Sequence, residues 1–91
     1  MWYVYILQCS DNTLYAGITN DLAVRLDKHN KGKASKYTRG RTPVKMVFRE
    51  RYTDRNSALK RECQIKKLTR REKLSLIAAD RKILNTPFSF S

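Results

Sequence analysis

The sequence predicts a small α/β fold: a three-stranded, mostly antiparallel sheet flanked by helices in the order ββαβαα. Three observations lead there. The chain opens with an unbroken aromatic and β-branched run. An alternating apolar run follows Pro43. Stretches of helical periodicity begin at residues suited to cap a helix. With 91 residues there is room for one domain, with residues 1–82 carrying it and 83–91 left as a tail. A chain this short buries only about 60–65% of the surface it exposes unfolded. That favours one layer of helices on one small sheet, with any active site at the surface.

Trp2, Val4 and Ile6 alternate with Tyr3, Tyr5 and Leu7, and both sets are apolar or aromatic. A strand of this kind is covered on both faces and lies in the middle of its sheet. Ser10-Asp11-Asn12-Thr13 is a turn, and Leu14 to Ile18 returns as the second strand of a hairpin. Asn20 or Asp21 is placed to cap a helix running to about Asn30, with Gly32 ending it. Residues 32–43 hold two glycines, a proline and four basic residues without periodicity, and read as a loop. Val44, Met46 and Phe48 then alternate with Lys45, Val47 and Arg49, a third strand with one apolar face. Asp54 caps a helix of about 55–67. Thr69-Arg70-Arg71-Glu72 spells a capping box, opening a third helix whose Leu74, Ile77 and Ala78 line one face. The tail, with Pro87, Phe88 and Phe90, has no pattern that assigns it.

Composition narrows the function. No run approaches 18 apolar residues, so no membrane span is expected. Residues 2–7 lack the flanks of a signal peptide, which makes the cytoplasm the expected compartment and Cys9 and Cys63 reduced thiols. Two cysteines and the single His29 cannot build a four-ligand zinc site. Gly17, Gly32 and Gly40 fall in no nucleotide-cradling motif.

Charge is the strongest signal. Lys and Arg number 20 against 8 for Asp and Glu, a net +12, and all 20 lie beyond residue 20. From Arg25 to Arg51 there are ten basic residues and two acids, Asp27 and Glu50. This is the footprint of a polyanionic partner, and nucleic acid fits it better than a merely soluble basic surface. An anionic membrane fits less well, because no basic amphipathic helix carries bulky aromatics.

Some residues stand out from a plain core. Glu62 falls in the middle of the stripe formed by Ala58, Leu59 and Ile65. An inward carboxylate either pairs with one of the many arginines or ligates a metal, as single carboxylates do for Mg²⁺. His29 shares the buried side of the first helix with Leu22 and Leu26, and Arg25 precedes it by one turn. His29 is either a packing residue or, with Arg25, part of a phosphate clamp with a proton-transfer group. Tyr3, Tyr5 and Tyr15 are good sheet residues, yet a buried phenol needs a partner and can relay a proton.

In order, these residues resemble the GIY-YIG nuclease superfamily, and the whole resembles its small single-domain bacterial branch, the UPF0213 proteins. The carrying segments are Tyr3-Val4-Tyr5, Tyr15-Ala16-Gly17-Ile18-Thr19, Arg25-Leu26, His29-Asn30-Lys31-Gly32, Lys36-Tyr37-Thr38-Arg39-Gly40-Arg41 and Glu62, over roughly residues 2–80. The superfamily's first glycine is Tyr3 here and its second-motif isoleucine is Ala16, both scaffold positions. The resemblance implies a GIY-YIG-like fold and a metal-dependent endonuclease hydrolysing phosphodiester bonds in DNA, in a setting of DNA processing or repair. The alternative is a non-catalytic DNA- or RNA-binding module on the same fold. Under the nuclease reading Tyr5 helps activate the attacking water and Tyr15 shares its hydrogen-bonded site. Arg25 holds the scissile phosphate, and His29 assists proton transfer or binds the phosphate. Glu62 ligates a single Mg²⁺ or Mn²⁺. Lys33, Lys36, Tyr37, Arg39 and Arg41 form the DNA-binding loop, and Asn85 loosely matches a late asparagine of the superfamily.

Overall fold

The computed structural model describes the backbone of residues 1–84 and side chains as far as Ala79. Strand β1 (Trp2–Gln8) and strand β2 (Leu14–Thr19) form the expected hairpin, followed by helices α1 (Leu22–Asn30) and α2 (Lys36–Arg39). Strand β3 (Lys45–Tyr52) and helices α3 (Arg55–Lys66) and α4 (Arg70–Leu84) complete the order. The sheet is antiparallel throughout, with strands in the order β2-β1-β3, so β1 is central.

Because side chains alternate across a strand, β1 feeds two cores. Val4 and Ile6 join Ala16, Phe48, Ala58, Ile65 and Ile77 on the α3–α4 side. Tyr5, Leu7 and Cys9 join Val44, Leu22 and Leu26 on the α1 side. Helices therefore cover both faces, where one helical layer was expected. An apolar run on both sides of β1 demands two covers, and that demand outweighs the small size of the chain. Val4, Ile6, Leu7 and Ile65 are fully buried, each contributing about 1.5–3 kcal/mol of hydrophobic stabilisation.

Three expectations need correction. The single apolar face predicted for β3 is broken by a bulge. Ile6 pairs with Phe48 but Leu7 with Met46, leaving Val47 as the extra residue. Val47 and Phe48 consequently enter the same core. The segment 32–43 is not wholly irregular, since Ser35 Oγ accepts from Tyr37 N at 3.1 Å and starts the single turn α2. One turn is too short to leave a periodic signal. In α4 Ile77 is buried, but Leu74 is 42% exposed and Ala78 is exposed. Leu76 packs instead, and half-buried Lys73 lies on the same side. The lysine's aliphatic stem can cover apolar surface while its ammonium reaches water.

The caps follow the sequence. Asp21 Oδ1 accepts from Val24 N at 3.1 Å and Asp54 Oδ1 from Ser57 N at 2.7 Å. Thr69 and Glu72 close their box reciprocally, at 2.8 and 3.1 Å. Gly32 takes a φ of 73°, open to glycine at no steric cost, as the chain leaves α1. Cys9 is buried, Cys63 is exposed and both are free thiols. Among the described residues no helix is long and apolar enough to cross a membrane.

Candidate active site on the hairpin face

Register places the first members of the site. Tyr5 on β1 stands opposite Gly17 on β2, and Tyr15 stands opposite Leu7, so both phenols point to the α1 side. A Cβ on Gly17 would lie 2.5 Å from the Tyr5 hydroxyl and 2.7 Å from Cζ. The absent side chain is what lets the Tyr5 ring lie across the second strand.

Helix α1 delivers His29 from its last turn, with 1% of its surface exposed. The Tyr5 hydroxyl is 2.9 Å from His29 Nε2, and His29 Nδ1 is 2.8 Å from Thr38 Oγ1. Thr38 Oγ1 is itself placed to donate to the Ser35 carbonyl, at 3.4 Å. These directions fit together in one tautomer: Nδ1–H donates to Thr38, and Nε2 accepts from Tyr5. The imidazole is packed edge-on by both phenols, with ring centroids 5.8 Å from Tyr5 and 5.3 Å from Tyr15. Asn30, the next residue, grips Val44 through two hydrogen bonds of 2.7 and 3.1 Å. That pairing fixes the end of α1 against the start of β3.

The electrostatics follow from burial and two charges. Burial, then Tyr15 and Glu62, push the Tyr5 phenol well above its ordinary range, and Arg25 only partly offsets them. Burial, then Arg25, hold His29 below its ordinary value. Near neutral pH Tyr5 is an O–H donor and His29 a neutral acceptor. The same interactions put Arg25 and Glu62 within electrostatic reach of the Tyr5 hydroxyl. Arg25 is half-buried, and the Glu62 side chain is 15% exposed with Lys66 Nζ 3.7 Å from Oε2.

The basic loop is attached to this cluster. Tyr37 stacks on Tyr15 at 5.7 Å, and the Arg41 guanidinium lies 4.2 Å from the Tyr37 ring centre. Arg41 also donates to the Tyr37 carbonyl at 2.6 Å and to Asp11 Oδ2 at 3.0 Å. Arg41 is thus turned inward as a latch on the hairpin turn. Lys33, Lys36 and Arg39 remain exposed around a shallow recess of about 390 Å³ that also includes Gly32, Ala34 and Ser35. Asn85 lies outside the described residues.

Of the residues singled out from sequence, Tyr5 and Tyr15 both contact His29. Arg25 on α1 and Glu62 on α3 form no hydrogen bond or ion pair with the three among the described residues and act on Tyr5 through their charge. Thr38 was not singled out individually. It is fully buried, and its partner lies nine residues away in another helix, so no local spacing announces it.

Comparison with known proteins gives a consistent result. The GIY-YIG catalytic domain matches residues 1–75. UPF0213 protein CPE1444 of Clostridium perfringens is 53% identical over 79 residues, 87% of this chain and 85% of that one. UPF0213 protein SERP0126 of Staphylococcus epidermidis is 49% identical over 75 residues, covering 82% and 92% of the two chains. The solution structure of UPF0213 protein BH0048 from Bacillus halodurans superimposes with a TM-score of 0.58 at 38% identity, covering 98% and 92%. That of EF2693 from E. faecalis gives 0.59 at 38% identity, covering 87% and 84%.

Proposed function

Since the chain belongs to the GIY-YIG catalytic-domain family and to its UPF0213 branch, we propose that it binds DNA through its basic face and hydrolyses a backbone phosphodiester. The observation that carries this reading is the continuous Tyr5–His29–Thr38 hydrogen-bond chain, with the Arg25 and Glu62 charges acting on the Tyr5 phenol.

Arg25 receives the phosphate, offering a planar set of donors and offsetting charge that grows on its oxygens. Tyr5 takes a proton from the attacking water as it passes its own to His29 Nε2. His29 is buried, so it acts through Tyr5 and leaves the phosphate to Arg25. Thr38 keeps the imidazole in the tautomer that accepts. Tyr15 borders the same imidazole and excludes water from it.

Glu62 suits a divalent metal, because its carboxylate is sheltered and, among the described residues, its ion-pair partner is the half-exposed Lys66 ammonium at 3.7 Å, which a metal can displace. Among the described residues no three His, Cys, Asp or Glu side chains gather around one point. One carboxylate completed by water and substrate phosphate is the pattern by which Mg²⁺ or Mn²⁺ is held. When bound, the metal supplies polarisation of the phosphate and neutralises the leaving oxygen.

A second reading is a nucleic-acid-binding module without turnover. The raised Tyr5 phenol and the weakened basicity of His29 both reduce the drive for proton transfer, which favours it. Glu62→Gln separates the two. Under the nuclease reading it reduces Mg²⁺- or Mn²⁺-dependent nicking of plasmid DNA by a factor on the order of 100 or more, because metal polarisation is worth several kcal/mol. DNA affinity stays within about threefold. Wild-type protein that binds duplex, flap, junction or single-stranded DNA and cuts none with either cation establishes the second reading.

A further inference from the structure

We propose that Arg49 and Arg51 of β3 form a phosphate track that carries the DNA backbone from the Tyr5 site along the β3 edge of the sheet. The inference rests on the DNA-binding reading above and adds the direction in which the strand runs.

Placement comes from register. Arg49 is the cross-strand partner of Tyr5, and Arg51 that of Tyr3. Both arginines therefore project on the face that carries the site, and both are exposed. Directly paired residues have Cβ atoms about 4.5–5.5 Å apart, so Arg49 begins beside Tyr5. Arg51 lies two residues further, about 6.8 Å along the strand. Arg49 and Arg51 thus follow one another along β3 beside Tyr5 and half-buried Tyr3.

Among the described residues no acid pairs with either arginine. Glu50, between the two arginines, is turned to the opposite face. It accepts from Arg61 at 2.8 and 3.3 Å and from the Tyr52 hydroxyl at 2.9 Å. The other acids with described side chains are engaged elsewhere. Asp11 holds Arg41, Asp27 holds Lys31, and Glu62 lies by Lys66. Asp21, Asp54 and Glu72 cap helices. Two like charges on adjacent same-face positions of one strand repel each other unless an anion lies across them. A phosphodiester backbone supplies such anions in series, and arginine pairs with them through two parallel donors.

The test is the salt dependence of binding to a labelled DNA duplex, read by fluorescence anisotropy over a KCl series. Each phosphate contact contributes a log–log slope of about −0.9 on duplex DNA. Arg49→Gln/Arg51→Gln should make the slope shallower by about 1.8, two contacts at that value. The control Lys60→Gln/Lys67→Gln removes the same charge from exposed positions of α3 and its C-cap, and should leave the slope unchanged. Equal flattening by both pairs would mean diffuse attraction and would overturn the track. An unchanged slope with new self-association in sedimentation would overturn it too, identifying the arginines as guards of an edge strand. Wild-type protein without salt-dependent binding would instead bring down the DNA-binding reading itself. Circular dichroism confirms that the exposed substitutions leave the fold intact.

Discussion

Replacing Gly17 by alanine tests the site's geometry without touching a titratable group. In an open strand alanine would be favoured over glycine by about 0.5–1 kcal/mol. Here its Cβ would meet the Tyr5 hydroxyl at 2.5 Å and Cζ at 2.7 Å. An ordinary contact needs the phenol to withdraw by about 1 Å. Tyr5 is 2% exposed, and its hydroxyl is already 2.9 Å from His29, so withdrawal costs both packing and that hydrogen bond. Overpacking costs about 1–3 kcal/mol. Loss of the hydrogen bond adds about 1 kcal/mol. Gly17→Ala should therefore destabilise by about 2–4 kcal/mol, larger than any gain in strand propensity. Urea unfolding followed by circular dichroism would show a lower midpoint with an unchanged slope. The melting temperature should fall by about 10 °C or more. Tyr5→Phe removes the hydroxyl contact but keeps Cζ in place. The double variant should thus recover part of the loss, with a coupling on the order of 1 kcal/mol. A loss below about 0.5 kcal/mol, or strict additivity with Tyr5→Phe, would refute the close approach of Tyr5 to Gly17.

Thr38→Val removes the acceptor for His29 Nδ1–H and should cost about 1–3 kcal/mol for a buried donor left unpaired, whereas Thr38→Ser should restore most of it. Nitrogen NMR of the imidazole gives the sharper reading, since Thr38→Val should lose the single Nδ1–H tautomer. Because folding lowers the His29 pKa, the folded state binds fewer protons there than the unfolded state once pH drops below about 6.5. That share of stability is present above pH 6.5 and declines as acid is added. Urea titrations from pH 7.5 down to 5.5 should show the decline, and His29→Gln should flatten it.

Much of the site was legible because its residues obey short-range rules. Tyr5 and Tyr15 belong to strands with strong alternation, and a hairpin brings such strands together. His29 and Glu62 were visible as polar residues on helix faces otherwise turned inward, and both are at least partly buried. Other features depend on contacts between distant segments. The bulge at Val47 is set by how β3 packs against β1, which no pattern within β3 encodes. The Asp11–Arg41 pair joins residues 30 apart, and Thr38 is defined by an imidazole in another helix. The rotation of α4 depends on the surface it meets, and periodicity alone left Leu74 and Leu76 as competing choices.

A helix of four residues has too few internal hydrogen bonds to persist alone. The turn at Lys36–Arg39 borrows its order from His29 beneath, bonded to Thr38, and from the Asp11–Arg41 latch beside it. Surface loops usually diversify freely, but this one is soldered to the Tyr5–His29 pair. Exchanging it wholesale for a segment tuned to another target would dismantle the imidazole's support. Retargeting by design would do better to leave it alone and redecorate the outer rim of the sheet.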